Sequence, residues 1–80
     1  MTPDAILQKL TDIFRDVFDD PKLVLTPETT AADIDGWDSM AHITIVVEAE
    51  QRFGIKFRTS EIEGLHNVGD FAALIAARTA

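Results

Sequence analysis

The chain has no cysteine. It can form no disulfide and has no thiol of its own for metal binding, redox cycling or thioester chemistry, so any sulfhydryl it uses must be imported. Basic residues are scarce as well: seven Lys and Arg stand against fourteen Asp and Glu, a formal net charge of -7. A field of that sign repels nucleic acid and anionic membrane, argues against both as partners, and favours proteins that present basic surface. No apolar run approaches the roughly 18 residues of a membrane span. The opening residues MTPDAILQKLTD also lack a basic segment leading into an apolar stretch, so a cytoplasmic location is expected. Internal repeats and low-complexity tracts are missing too. Eighty residues leave room for one domain, spanning 1–80. A chain of that size buries only about 60–65% of the surface its unfolded form exposes, so a compact apolar core must hold it.

What is present reads as helix. Thr2 can cap, Pro3 suits a first helical position and Asp4 complements the dipole, while Ile6, Leu10, Ile13, Phe14 and Val17 recur at helical spacing. A first helix is predicted from about 3 to 18, stopped by Asp19-Asp20-Pro21. Residues 20–37 keep no sustained period, and a connection that long in a compact domain points to function. Leu23, Val24, Leu25, Ile34 and Trp37 would anchor it across the helices. A second helix is predicted from Asp38 or Ser39 through Phe53, ended by Gly54. Ile45, Val46, Ala49 and Phe53 form its inward stripe. Met40, Ile43 and Val47 form another on an adjoining face, wider than a core helix needs and therefore expected to be partly exposed. Ile55-Lys56-Phe57 reads as an extended linker, Ser60 as the cap of a short helix through Ile62 to Leu65, and Asn67 as the cap of a last helix. That helix has Val68, Phe71, Leu74 and Ile75 on its apolar face and Arg78 at the rim. The fold class expected is all-α, a small four-helix bundle of three longer helices and one short one with a long loop between the first two. An α+β arrangement using residues 23–25 and 55–57 as strands is the alternative.

The densest polar cluster is Asp33, Asp35, Asp38 and Ser39, where the loop meets the second helix. Between Lys22 and Arg52 there is no Lys or Arg, whereas Glu28, Asp33, Asp35, Asp38, Glu48 and Glu50 fall there. A solvated loop with an N-cap acid explains this without any ligand. Ser39 and His42 stand one helical turn apart, which raises nucleophile and base. No G-x-S-x-G elbow or oxyanion donor set accompanies them, and so small a bundle offers little concave volume, so self-contained hydrolysis is not expected. His42 and His66 then read as surface histidines. The run from Asp33 to Asp38 misses a calcium loop because Trp37 occupies a ligand position, and two histidines without cysteine make no zinc set. No metal site is expected.

The run Asp35-Gly36-Trp37-Asp38-Ser39-Met40, followed by Ile43, Val46, Val47, Glu50, Phe53 and Phe57, resembles the acyl carrier protein family of fatty-acid, polyketide and peptidyl carriers. The likeness covers nearly the whole chain: first helix, acidic loop, second helix ending in Glu-x-x-Phe-Gly-Ile, short third helix and apolar fourth. The family's attachment motif is commonly Asp-Ser-Leu at the head of the second helix, and here it reads Asp38-Ser39-Met40. The resemblance implies that Ser39 carries 4'-phosphopantetheine from coenzyme A, flanked by Asp38 and Met40. The arm's thiol would hold acyl groups as thioesters for partner enzymes, and the chain itself would be no enzyme. A serine at a helix start sits near unpaired backbone N–H groups and the positive dipole end, which suits an attached phosphate. Asp38 repels a phosphate, so capping the helix or helping the modifying enzyme hold its metal is its expected part. Nothing in the chain would deprotonate Ser39, so a separate phosphopantetheinyl transferase is an implied partner. Acyl-loading, acyl-transfer or synthase enzymes with basic surfaces are the others, and a monomer is expected. Met40, Ile43 and Val47 become candidate partner contacts. Met40 replaces the usual leucine, and Ala41, His42 and Thr44 stand where fatty-acid carriers are more acidic or polar, which favours a specialised polyketide, peptide or modified-lipid route. The alternative function is an unmodified acidic helical adaptor that binds basic partners through its second helix.

Overall fold

The computed structural model describes residues 2–79. Four α-helices follow one another: α1 (Pro3–Phe18), α2 (Ser39–Phe53), α3 (Thr59–Glu63) and α4 (Val68–Thr79), with a single 3-10 turn (Ala31–Asp33) in the long loop. Among the described residues there is no strand, so segments 23–25 and 55–57 are extended chain.

Local chemistry sets the helix ends. The Thr2 hydroxyl accepts from the Ala5 N–H at 3.2 Å, and α1 closes on Asp19 in the left-handed conformation with φ 53°. An aspartate tolerates that region better than most side chains. At the far end of α2, Gly54 (φ 67°) donates its N–H to the Glu50 carbonyl, the glycine stop that the sequence implies. Asn67 Oδ1 accepts from the Asp70 N–H at 2.8 Å and caps α4. The short third helix starts earlier than expected. Its N-cap is Arg58 instead of Ser60, because the Glu61 carboxylate reaches back to the Arg58 N–H at 2.9 Å.

α1 is the central element and packs against both α2 and α4. It contributes Ile6, Leu10, Ile13 and Phe14 to the core, α2 contributes Ile45, Val46 and Ala49, α4 contributes Val68, Phe71 and Ile75, and the loop adds Leu25. Three expected core positions differ, the first being Val17, which is half-buried. Phe53 is half-buried, its ring covered by the Lys9 ammonium at 5.2 Å from the centroid, and Leu74 is half-buried as well. Val24 is no anchor: it is 72% exposed, and Leu23 and Leu25 on either side hold the loop instead.

The long loop is bound to α4. Thr29 and Pro27 offer their carbonyls to the Val68 and Gly69 N–H groups at 2.9 and 2.8 Å, which satisfies two donors that a helix start otherwise leaves open. The approach is so close that a Cβ on Gly69 would lie 2.9 Å from the Pro27 carbonyl oxygen. Gly69→Ala, ordinarily favourable in a helix, is therefore expected to destabilise the fold by about 1–3 kcal/mol in a urea titration.

Glu50 is not part of an acidic surface. Its carboxylate accepts from the Phe57 N–H at 2.8 Å and ties the 55–57 linker to α2. At α3 the Glu61 carboxyl is held below the ordinary carboxylate range, first by its hydrogen bond from Arg78 and then by the Arg58 N–H. A depressed carboxylate stabilises the fold above its unfolded pKa and loses that contribution as pH falls through the folded value. The Tm gap between wild type and Glu61→Gln should accordingly hold steady near neutrality and close on acidification below the usual carboxylate pKa.

Candidate functional site

The loop delivers three residues in sequence to the head of α2. Trp37 is the last loop residue with an apolar partner: its ring meets Phe14 edge-on, with centroids 5.0 Å apart and planes at 87°. Asp38 is the N-cap, its carboxylate accepting from the Ala41 N–H at 2.9 Å while its carbonyl accepts from the His42 N–H. The aspartate thus performs the capping expected of it. Ser39 is the first helical residue and is exposed. Because capping falls to Asp38, the serine hydroxyl is not consumed by holding the helix start.

Trp37 and His42 occupy the positions just before the N-cap and four residues after it, the two sites of a hydrophobic staple. Here the staple is aromatic and polar at once. The rings stack at 6.1 Å with 21° between planes, and the Trp37 Nε1–H donates to His42 Nδ1 at 3.3 Å. His42 is therefore half-buried and structurally engaged, unlike the surface histidine expected. His66 is exposed.

Ser39 opens on a cleft of about 670 Å³. One wall is the head of α2 with Trp37, His42 and Ile43; the other is α3 and its connection to α4, including Ile62 and Leu65, and Phe71 of α4 completes it. Sequence reasoning named the residues of the first wall and missed the cleft, because the second wall reaches Ser39 only through tertiary packing. The staple positions of Trp37 and His42 were the one local signal.

Met40, Ile43 and Val47 are 74%, 59% and 43% exposed. Ile43 borders the cleft as well, whereas Met40 and Val47 are not among its lining residues. Glu48 on the same helix is paired with Arg52 at 3.3 Å. Among the described residues no group of three or more His, Cys, Asp or Glu is placed to hold a metal ion. Asp33 instead closes the 3-10 turn by accepting from the Thr30 N–H at 2.9 Å. No helix of the described residues is long and apolar enough to cross a membrane.

An exposed serine at a helix start, not used as a cap and placed at the mouth of a largely apolar cleft, fits a flexible arm joined through its hydroxyl, because the arm has a channel to lie along.

The family model for the phosphopantetheine attachment site matches residues 8–75. The chain is 32% identical to an acyl carrier protein of Acidothermus cellulolyticus, over 99% of this chain and 94% of that one. It is 31% identical to a meromycolate extension acyl carrier protein of Mycolicibacterium smegmatis, over 92% and 75% of the two chains. Its fold matches the solution structure of a holo acyl carrier protein from Geobacter metallireducens with a TM-score of 0.84 and 50% sequence identity, covering 90% of this chain and 83% of that one. On the helical fold and these matches together, the chain belongs to the acyl carrier protein family, whose members are not catalysts but hold acyl groups on covalently attached 4'-phosphopantetheine.

Proposed function

We propose that Ser39 is the residue that bears the arm and that residues 1–80 form one carrier domain. The observation that carries the assignment is Ser39 itself: exposed, first in α2, following the capping Asp38 and lining the cleft. In the attachment step the Ser39 Oγ bonds to the phosphorus of coenzyme A nearest the pantetheine. The pyrophosphate P–O bond breaks, adenosine bisphosphate leaves, and the hydroxyl proton passes to a base of the transferase. His42 is not that base: its Nδ1 lone pair accepts from the Trp37 Nε1–H, which leaves the proton of the neutral ring on Nε2 with no lone pair there to take another. Once bound, the arm supplies the terminal thiol that this chain lacks and holds the acyl group as a thioester. The chain's own residues orient the tether, present the partner face and keep the loop packed.

Carriers of this family work with a phosphopantetheinyl transferase and with acyl-loading and synthase enzymes. We assign the contact face to Met40, Ile43 and Val47, three apolar side chains open to solvent on α2. The net charge of -7 steers them to enzymes with basic surfaces. The carrier acts as a monomer in the cytoplasm, in a specialised route instead of housekeeping fatty-acid synthesis. Relatives named for meromycolate extension support a long-chain or modified-lipid pathway.

The partner face has its own test. Ile43→Asp and Val47→Asp should each lower the kcat/KM of acyl transfer to a partner enzyme by about tenfold or more, which is ~1.4 kcal/mol. Both should leave folding stability within about 0.5 kcal/mol, as for ordinary surface positions. Global unfolding by circular dichroism would move these residues into the core and sink the assignment. For the function as a whole, the decisive sample is protein purified from its native host. Its intact mass should exceed that of the bare chain by one phosphopantetheine, with or without an acyl group. A bare mass throughout would return the acidic adaptor reading.

A further inference from the structure

We propose that His42 is a positioning residue for the arm, donating from Nε2 to an amide carbonyl oxygen of the pantetheine and holding it along the cleft. The inference rests on Ser39 as the attachment point. It starts from the indole of Trp37, whose Nε1–H can only donate. That N–H is 3.3 Å from His42 Nδ1, so Nδ1 presents its lone pair. A neutral imidazole with an unprotonated Nδ1 carries its proton on Nε2. The loop tryptophan thereby selects the tautomer of a helix residue and leaves a single N–H donor on the ring.

The geometry around that donor is fixed from the core outward. Phe14 is fully buried and meets Trp37 edge-on, and Trp37 in turn stacks on His42. Ser39 and His42 stand one turn apart on α2 and line the same cleft. Of the other polar side chains of the cleft, Asp38 accepts from the Ala41 N–H and Asn67 Oδ1 from the Asp70 N–H, while Glu63 and the exposed His66 lie on the far wall formed by α3 and its connection to α4. In a mostly apolar channel, a directed donor one helical turn from Ser39 favours one resting place for the first part of a flexible chain of amides, because each amide carbonyl left there without a partner is penalised. Pantetheine has two amide carbonyls, and a simple alkyl chain has none. The donor therefore registers the tether and not its aliphatic cargo, and a partner that draws the arm out has one hydrogen bond to break.

The test uses holo protein whose single arm on Ser39 has been verified by intact mass and peptide mapping. Failure to load would overturn the Ser39 reading, and it would appear before any spectrum is taken. With nitrogen-labelled histidine, the apo protein should show His42 as the Nε2–H tautomer, and loading should shift the Nε2 resonance while Nδ1 stays in place. The arm's amide nitrogens should have order parameters above about 0.6 in wild type and fall into the flexible range below that value in His42→Leu. His42→Gln, whose side-chain amide both accepts and donates, should recover most of the contacts between the arm and the cleft. An Nδ1-protonated ring, an Nε2 resonance indifferent to loading, or equal arm order in wild type and His42→Leu would each overturn the proposal. Should the leucine variant fail to fold, the wild-type comparison of apo and holo spectra decides alone.

Discussion

Phe14→Ala is expected to destabilise the domain by about 3–5 kcal/mol, the range for removing a fully buried phenylalanine. For a domain whose total stability is of order 5–10 kcal/mol, that is roughly 30% or more of what holds it. The size follows from position. Phe14 is fully buried on the central helix, 5.0 Å from the Trp37 centroid and 5.9 Å from that of Phe18, so its loss opens a void where α1 meets the loop. The effect should also reach the site. Without its edge contact, Trp37 loses the wall that seats it against His42, and the only tryptophan of the chain reports this as red-shifted fluorescence before global unfolding. Phe53→Ala is the contrasting case. Half-buried beneath Lys9, it should cost less than about 2 kcal/mol in the same urea titration. Equal costs for the two would mean that the burial pattern has been misjudged.

The connection between fold and carrier function runs through that loop. It is clamped to α4 by Thr29 and Pro27, sealed into the core by Leu25, and ended by Trp37 against Phe14. Those fixings deliver Asp38 to the N-cap in a defined orientation and leave Ser39 outside. On the proposed assignment, the modifying enzyme would meet a hydroxyl on a capped helix start. The long aperiodic segment is functional in this sense: it is packed structure that sets the position of Ser39, the proposed attachment point.

Helix limits were legible because they depend on near neighbours. Thr2 and Pro3 at the start of α1, Asp38 before α2 and Gly54 after it act within one turn of chain, and each does so in the structure. Apolar periodicity likewise named Ile6, Leu10, Ile13, Phe14, Ile45, Val46, Ala49, Val68, Phe71 and Ile75 as inward residues, and all are buried. Periodicity fails where burial depends on what lies opposite. Phe53 has the right phase on α2 but sits at the bundle's edge, and Val24 lies between two residues that take the inward positions. The start of α3 departs from the sequence pattern for a different reason: the preference for a serine cap points to Ser60, whereas the reach of Glu61 back to the Arg58 N–H sets the boundary. The cleft was out of reach, since no local pattern announces that α3 and its connection to α4 stand across from Ser39.

The resemblance to carriers rested on a short motif and the order of helices, and fold and relatives both support it. What the motif alone did not convey is the Trp37–His42 pair. Its spacing is that of a staple, yet histidine at the inner position conceals it from a search for aliphatic partners.

Whether Ser39 is the tether is decided by one mass measurement. Apo protein incubated with coenzyme A and a broad-specificity phosphopantetheinyl transferase should gain a single phosphopantetheine, which fragmentation places on Ser39, and Ser39→Ala should gain none. An unmodified wild type, or an arm still found on Ser39→Ala, would contradict it.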